Sequence, residues 1–238
     1  MSTILYDNHN RPINYLRLAV TDRCNLRCFY CMPEEGIKYL PKKALLTFEE
    51  IERLVSLLAG MGITKIRLTG GEPFVRTDLM DLIRRIRSID GIHDIHLTTN
   101  GILTGSNIPE LKKMGIASVN LSLDTLDRNR FKQITRRDEF VKTWDTFLML
   151  VESEIPVKIN AVVMEGKNIE DILPLVVLTK NFPVSVRFIE EMPFNGEGSH
   201  YPTLNWSHKK ILEHIKSGYP DLRKIEDGAF STATHYQV

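Results

Sequence analysis

The chain has 238 residues, 42% of them hydrophobic and 26% charged, proportions that fit a folded globular protein and exclude a disordered or collagen-like one. Lys and Arg number 31 against 30 Asp and Glu, and a net charge of +1 argues against bulk electrostatic partners such as a nucleic acid duplex or an anionic membrane. No apolar run approaches the ~20 residues of a membrane helix. Met1 to Arg11 carry no apolar signal core, so the expected location is the cytoplasm.

Asn14–Val20 reads as the first strand. Thr47-Phe48-Glu49-Glu50 is a capping-box pattern, and it predicts a helix to about Ala59, stopped by Gly60 and Gly62. Lys65–Thr69 is the second strand and Asp78–Ser88 the second helix. Asp94–Thr98 is followed by a short helix over Ile108–Met114, ended by Gly115. Ser118–Asp124 precedes a helix over Thr143–Ser153. Val157–Val163 precedes a helix that Asn168 can cap, running to about Lys180. Val184–Glu190 precedes a last helix over Ser207–Lys216, and Ser231–Val238 reads like a further strand being entered. Strands alternating with helices of this length imply βαβ units and a parallel sheet. With no low-complexity linker and no break in composition, residues 1–238 are expected to form one domain.

The two strand parities differ. One is apolar: Leu16, Leu18 and Val20; Ile66 and Leu68; Val119, Leu121 and Leu123; Ile159, Ala161 and Val163; Val186 and Phe188. The other carries Arg17, Arg67, Thr69, His96, Thr98, Asn120, Ser122, Asp124, Lys158, Asn160 and Arg187. A doubly wound sheet is covered on both faces and its strands tend to be apolar on both. A partial (βα)6 TIM-like barrel with a polar, ligand-binding lumen fits better. The unusual segments also follow the carboxyl ends of strands, where barrel sites gather. Arg17, Arg67, Lys158 and Arg187 share the lumen parity on four strands, and unpaired buried cations are costly. Either Glu72, Asp124 and Glu190 neutralise them, or a ligand with several phosphates does.

The three cysteines, Cys24, Cys28 and Cys31, fall in a C-x3-C-x2-C loop after the first strand. An odd, clustered set is not a disulfide framework. A structural zinc usually takes four ligands, and the nearest histidine to this loop is His9. Three thiolates fit a [4Fe–4S] cluster with one open iron; zinc or uncommitted thiols is the plainer alternative.

This loop, with Tyr30 before the last cysteine and Gly70-Gly71-Glu72-Pro73 one βα unit downstream, resembles the radical S-adenosylmethionine (SAM) superfamily. The resemblance implies a partial βα barrel, a cluster that binds SAM, and reductive cleavage of SAM to a 5′-deoxyadenosyl radical. Five segments together resemble one family within it, the GTP 3′,8-cyclases of molybdenum cofactor biosynthesis. They are Thr21–Cys28, Arg67–Pro73, Leu97–Gly101, Asn120–Asp124 and Arg187–Pro193. What that family implies is a lyase that cyclises GTP to (8S)-3′,8-cyclo-7,8-dihydroguanosine 5′-triphosphate, needing an electron donor and acting as a homodimer. Carried over position by position, Cys24, Cys28 and Cys31 match the cluster ligands. Tyr30, Gly71, Ser122 and Met192 match SAM contacts, and Arg17, Arg67, Thr98 and Lys158 match GTP contacts.

The family also has a C-terminal region with a second cysteine cluster, and this sequence has no cysteine after Cys31. The expectation is therefore an N-terminal fragment lacking the second cluster. Two other readings stay open. One is a different radical SAM enzyme, such as a peptide maturase, which the lumen cations argue against. The other is a cluster- and SAM-binding chain without turnover, or a metal-binding interaction module.

Overall fold

A computed structural model describes residues 4–192, 206–227 and 233–238. Pro193, and Ser231 and Thr232 of the expected terminal strand, lie outside the described residues. Six strands form one sheet in chain order: β1 (Tyr15–Ala19), β2 (Lys65–Thr69), β3 (Asp94–Thr99), β4 (Ser118–Ser122), β5 (Val157–Val163) and β6 (Val184–Glu190). Every neighbouring pair is parallel. Among the described residues β1 and β6 do not pair, so the arc is open. This is the partial TIM-like barrel that the strand faces predict.

Among the described residues seven helices connect the strands: α1 (Phe48–Ala59), α2 (Leu79–Arg87), α3 (Ile108–Lys113), α4 (Arg128–Thr135), α5 (Phe140–Glu152), α6 (Ile172–Asn181) and α7 (His208–Gly218). None is long and apolar enough to cross a membrane. The α1 capping box forms as its sequence requires: the Glu50 amide donates to Thr47 Oγ1 at 3.2 Å and the Thr47 amide to Glu50 Oε2 at 2.8 Å. The apolar strand parity packs outward against the helices. Ile66, Leu68, Leu97, Val119, Leu121 and Ile159 join Val55 of α1, Leu82 and Ile83 of α2, and Phe147 of α5 in one buried cluster. Burying each such side chain contributes roughly 1.5–3 kcal/mol, and Leu121→Ala, at the centre, would cost about 2–5 kcal/mol. A smaller cluster sets Val163, Ile172 and Val176 against Ile211 and Ile215 of α7.

Four sequence expectations are corrected. The helix α4 was not foreseen. Only Phe131, Ile134 and Thr135 are buried along it, too sparse a stripe to show as periodicity. Its visible signal is the cap, where Asp127 Oδ1 accepts from the Arg130 amide at 2.7 Å. The helix α5 begins at Phe140, one turn before Thr143. Asn168 does not cap α6: its amide nitrogen donates to the carbonyls of Val162 and Asp124, both at 2.8 Å, and Oδ1 accepts from the Met164 amide. A 3-10 turn at Ile169–Asp171 intervenes, and α6 starts at Ile172. In the described part of the terminal segment, Tyr236–Gln237 form a two-residue ladder antiparallel to Arg223–Lys224.

Candidate functional site

The cysteine loop leaves β1 and is held from three sides. The C-terminal carbonyls of α4 receive its amides: Arg27 N donates to Thr135 O at 3.0 Å and Phe29 N to Ile134 O at 3.1 Å. Arg136, with φ 56° at the end of α4, donates from its guanidinium to the carbonyls of Arg27 and Met32. From the β3 end, the Asn100 side-chain amide reaches Asn25 Oδ1 at 2.7 Å. From the β4 end, Asp124 accepts from the Tyr30 hydroxyl at 2.8 Å. Cys24 and Cys28 are half-buried and Cys31 is exposed. Burial pushes all three thiols above their ordinary pKa, Cys28 furthest, and proximity of the cysteines to one another adds to the shift at Cys24 and Cys28. Cys24 Sγ also accepts from the Leu26 amide at 3.4 Å.

The paired glycines lie against this loop. Beyond the end of β2, Gly71 N donates to Thr21 O and Glu72 N to Arg23 O, both at 2.8 Å. A Cβ on Gly71 would collide with Arg23 O, and one on Gly70 with Thr21 O. Glycine is thus required here by backbone approach alone. Glu72 is almost fully buried. Its carboxylate accepts from Thr99 Oγ1 (2.8 Å), Asn100 N (2.7 Å) and Phe74 N (3.2 Å). Burial nevertheless raises its pKa to about 7, and that of Asp124 to about 6.

The lumen face holds the basic residues the sequence placed there. Arg67 is 9% exposed, and among the described residues its guanidinium donates to neutral acceptors, Tyr15 Oη at 2.7 Å and Leu97 O at 3.1 Å. Among the described residues Arg17, Arg67, Lys158 and Arg187 form no ion pair with any carboxylate. The three acids that could have neutralised them are engaged elsewhere: Glu72 and Asp124 as above, and Glu190 with His208 at 2.9 Å. Lys158 is held below its usual pKa by burial, then by Arg187 and Arg67; Arg187 is lowered by burial, then by Arg67. His96, against Ser118 Oγ at 2.8 Å, is lowered to about 4, mainly by burial and then by Arg67, and is neutral at pH 7.

The ladder brings most of the expected site residues together. Arg17 pairs with Arg67 across β1 and β2. Thr98, Asn120 and Lys158 are in register across β3 to β5, and Ser122, Asn160 and Arg187 across β4 to β6. Tyr30 is placed by its hydrogen bond to Asp124. Met192 is 74% exposed at the edge of the described residues and is not drawn into this group. Sequence reasoning missed Asn100 and Arg136 as supports of the loop. Asn100 stood inside a quoted motif with no role given; Arg136 had no signal once α4 was overlooked.

The model of the radical SAM superfamily matches residues 18–178, spanning β1 to α6 with the cysteine loop inside it. The chain belongs to the radical SAM superfamily. It is 42% identical over 238 residues to Molybdenum cofactor biosynthesis protein 1 of Bos taurus, covering all of this chain and 37% of that protein. It is 45% identical over 222 residues to the GTP 3′,8-cyclase of Clostridium perfringens, covering 93% of this chain and 67% of the relative. The Pelotomaculum thermopropionicum GTP 3′,8-cyclase is 48% identical over 196 residues, covering 82% and 60%. The chain thus spans between about a third and two thirds of the length of these relatives. Among solved structures, Streptococcus suis SuiB bound to S-adenosylmethionine superposes with a TM-score of 0.65 at 20% identity, covering 87% of this chain and 48% of that one. Methylornithine synthase gives a TM-score of 0.65, also at 20% identity, covering 87% and 62%.

Radical SAM enzymes work with a [4Fe–4S] cluster and SAM, and the loop fits that cluster. Its donor set is three neighbouring thiols with a backbone amide directed at one sulfur, the pattern that cluster sulfurs accept. Coordination would deprotonate thiols that burial otherwise keeps neutral.

Proposed function

We propose that this chain is the N-terminal barrel of a GTP 3′,8-cyclase, residues 1–238 forming one radical SAM domain. In this reading Cys24, Cys28 and Cys31 hold the cluster, and Tyr30, Gly71, Ser122 and Met192 lie against SAM. Bound there, cluster and SAM supply a carbon radical on reduction. Arg17, Arg67, Thr98 and Lys158, with Arg187, hold the triphosphate of GTP, and the product is (8S)-3′,8-cyclo-7,8-dihydroguanosine 5′-triphosphate. The chain's own part is positioning and exclusion of water. A cytoplasmic location, an electron donor and a homodimer belong to the same proposal.

The observation that carries it is the lumen: four basic side chains on four strands form no ion pair with a carboxylate among the described residues, and Lys158 and Arg187 are held below their usual pKa by burial and then by neighbouring cations. A polyphosphate supplies the missing charge, and arginine binds it bidentately. A peptide backbone would not. The test is calorimetric titration of GTP into the parent, Arg17→Ala and Lys209→Ala. Loss of a charge-assisted contact at Arg17 should weaken binding about tenfold or more; Lys209, exposed on α7, should not matter. GTP affinity that ignores Arg17, or Arg17→Ala protein that unfolds, would reject the reading.

A further inference from the structure

Arg136 closes α4 in the left-handed region, with φ 56° and ψ 22°. Glycine usually takes that place, because a side chain there is strained, and an arginine in it points to a task for the side chain. Its contacts show the task. One nitrogen, Nη1, donates to Arg27 O at 3.2 Å and to Met32 O at 3.0 Å. Those carbonyls stand immediately before Cys28 and immediately after Cys31. A single guanidinium thus ties together both ends of the C-x2-C half of the loop. Within that half the amides of Cys31 and Met32 both donate to Cys28 O at 2.9 Å, a tight turn that limits how far apart the two thiols stand. The other half is closed from inside the loop, where Arg27 Nη1 donates to Cys24 O and Leu26 O, each at 2.7 Å.

The charge of Arg136 is not neutralised by an acid. Among the described residues it forms no ion pair, and the acids that follow it are engaged: Asp138 with Arg128 at 2.9 Å, Glu139 with Lys142 at 2.7 Å. Both acceptors of its Nη1 are uncharged carbonyls. A [4Fe–4S] cluster on three thiolates is an anion, and reduction by one electron adds a further negative charge. A fixed cation held against the chain on both sides of two ligands favours the reduced state.

We propose that Arg136 is a positioning residue of the cluster centre, clamping the Cys28–Cys31 turn and raising the potential at which a bound cluster accepts its electron. The proposal rests on the loop holding a [4Fe–4S] cluster, which the first measurement below tests by itself.

Iron and sulfide are first counted in the anaerobically reconstituted parent; protein that takes up zinc without sulfide rejects the cluster and not the clamp. The variants are Arg136→Gly, Arg136→Gln, Arg136→Lys and, as a control for net charge, Lys132→Gln, an exposed position on the same helix. Glycine adopts the backbone of Arg136 without strain, so cluster-free Arg136→Gly should melt close to the parent. An iron chelator should strip its cluster about tenfold faster or more, through loss of charge-assisted hydrogen bonds. Failure of this folded variant to retain iron would be the same effect in full. The midpoint potential, followed by electron paramagnetic resonance during titration with dithionite, should fall in Arg136→Gln, stay near the parent in Arg136→Lys, and not move in Lys132→Gln. An unchanged stripping rate in Arg136→Gly overturns the clamp. A potential unmoved in Arg136→Gln, or moved equally in Lys132→Gln, overturns the charge effect. Cluster-free protein that unfolds in both Arg136→Gly and Arg136→Gln makes Arg136 a brace of α4 and overturns the proposal whole.

Discussion

Replacing Arg67 with methionine tests the lumen at its most buried cation. The substitution keeps an apolar stem and removes the charge. In the free protein two effects oppose each other. Hydrogen bonds from the guanidinium to Tyr15 Oη and Leu97 O are lost, each worth about 1.5–3 kcal/mol. The desolvation cost of an unneutralised buried ion, several kcal/mol, is removed, together with its repulsion of Lys158 and Arg187. These nearly cancel, so free stability should change by no more than about 1–2 kcal/mol. With a triphosphate the balance is one-sided. One lost charge-assisted contact of roughly 1.5–3 kcal/mol weakens binding about ten- to a hundredfold. The assay is thermal unfolding with tripolyphosphate at about a hundred times the parent's Kd. There the ligand contributes about 2.7 kcal/mol, a rise of about 5–11 °C for a chain of this size. At the same concentration the variant would gain only about 0.4–1.4 kcal/mol, or about 1–6 °C. The reasoning is refuted if Arg67→Met unfolds the free protein yet leaves the ligand shift intact, because Arg67 would then be a brace and not a receptor.

Three further outcomes are expected. Anaerobic reconstitution should give about four irons per chain and a broad visible band bleached by dithionite, both lost in Cys28→Ala; stoichiometric zinc without sulfide would exclude the cluster. Gly71→Ala should lower stability in urea titration by about 1–3 kcal/mol, because its methyl would collide with the Arg23 carbonyl and the entry to the cysteine loop must shift. For His96 the native pKa of about 4 lies below the ordinary 6.5, so between those values the unfolded chain binds more protons and stability falls with acidification. From pH 7 to 4 the melting temperature of His96→Asn should therefore drop less than the parent's; equal drops would contradict the burial of a neutral imidazole.

The strands were legible because each alternates cleanly, and their polar parity alone placed Arg17, Arg67, Thr98 and Lys158 on one face. The ends were less so. The β1–β2 ladder continues past its strands through Val20 N to Thr69 O and Gly71 N to Thr21 O, which periodicity cannot register. The helix α4 was invisible because polar residues fill most of it, and only a cap marks its start. Asn168 shows the limit of cap reasoning. A residue suited to begin a helix is recruited instead to the end of β4, donating to the Asp124 carbonyl, a partner 44 positions away that no local pattern reveals. For the acids, sequence could pose the alternatives but not choose between them. Whether Glu72, Asp124 and Glu190 neutralise the lumen depends on side-chain direction, and all three turn to other partners.

That choice explains how a chain of net charge +1 can present an anion site. Glu72 and Asp124 are buried beyond the ends of β2 and β4, and each is held by local donors. Glu72 takes two amides and a hydroxyl from the β2 and β3 loops, and Asp124 takes the Val162 amide and the Tyr30 hydroxyl. Both then lead to the cysteine loop, Glu72 through Asn100 to Asn25 and Asp124 directly through Tyr30. The acids thus fix the cysteine loop to the ends of β3 and β4. The basic residues, left without acidic partners among the described residues, provide the local positive field. Charge is balanced over the whole chain and separated by role within the barrel. Near-neutral composition therefore excludes a broad electrostatic surface while leaving room for a polyanion enclosed on one face of the sheet.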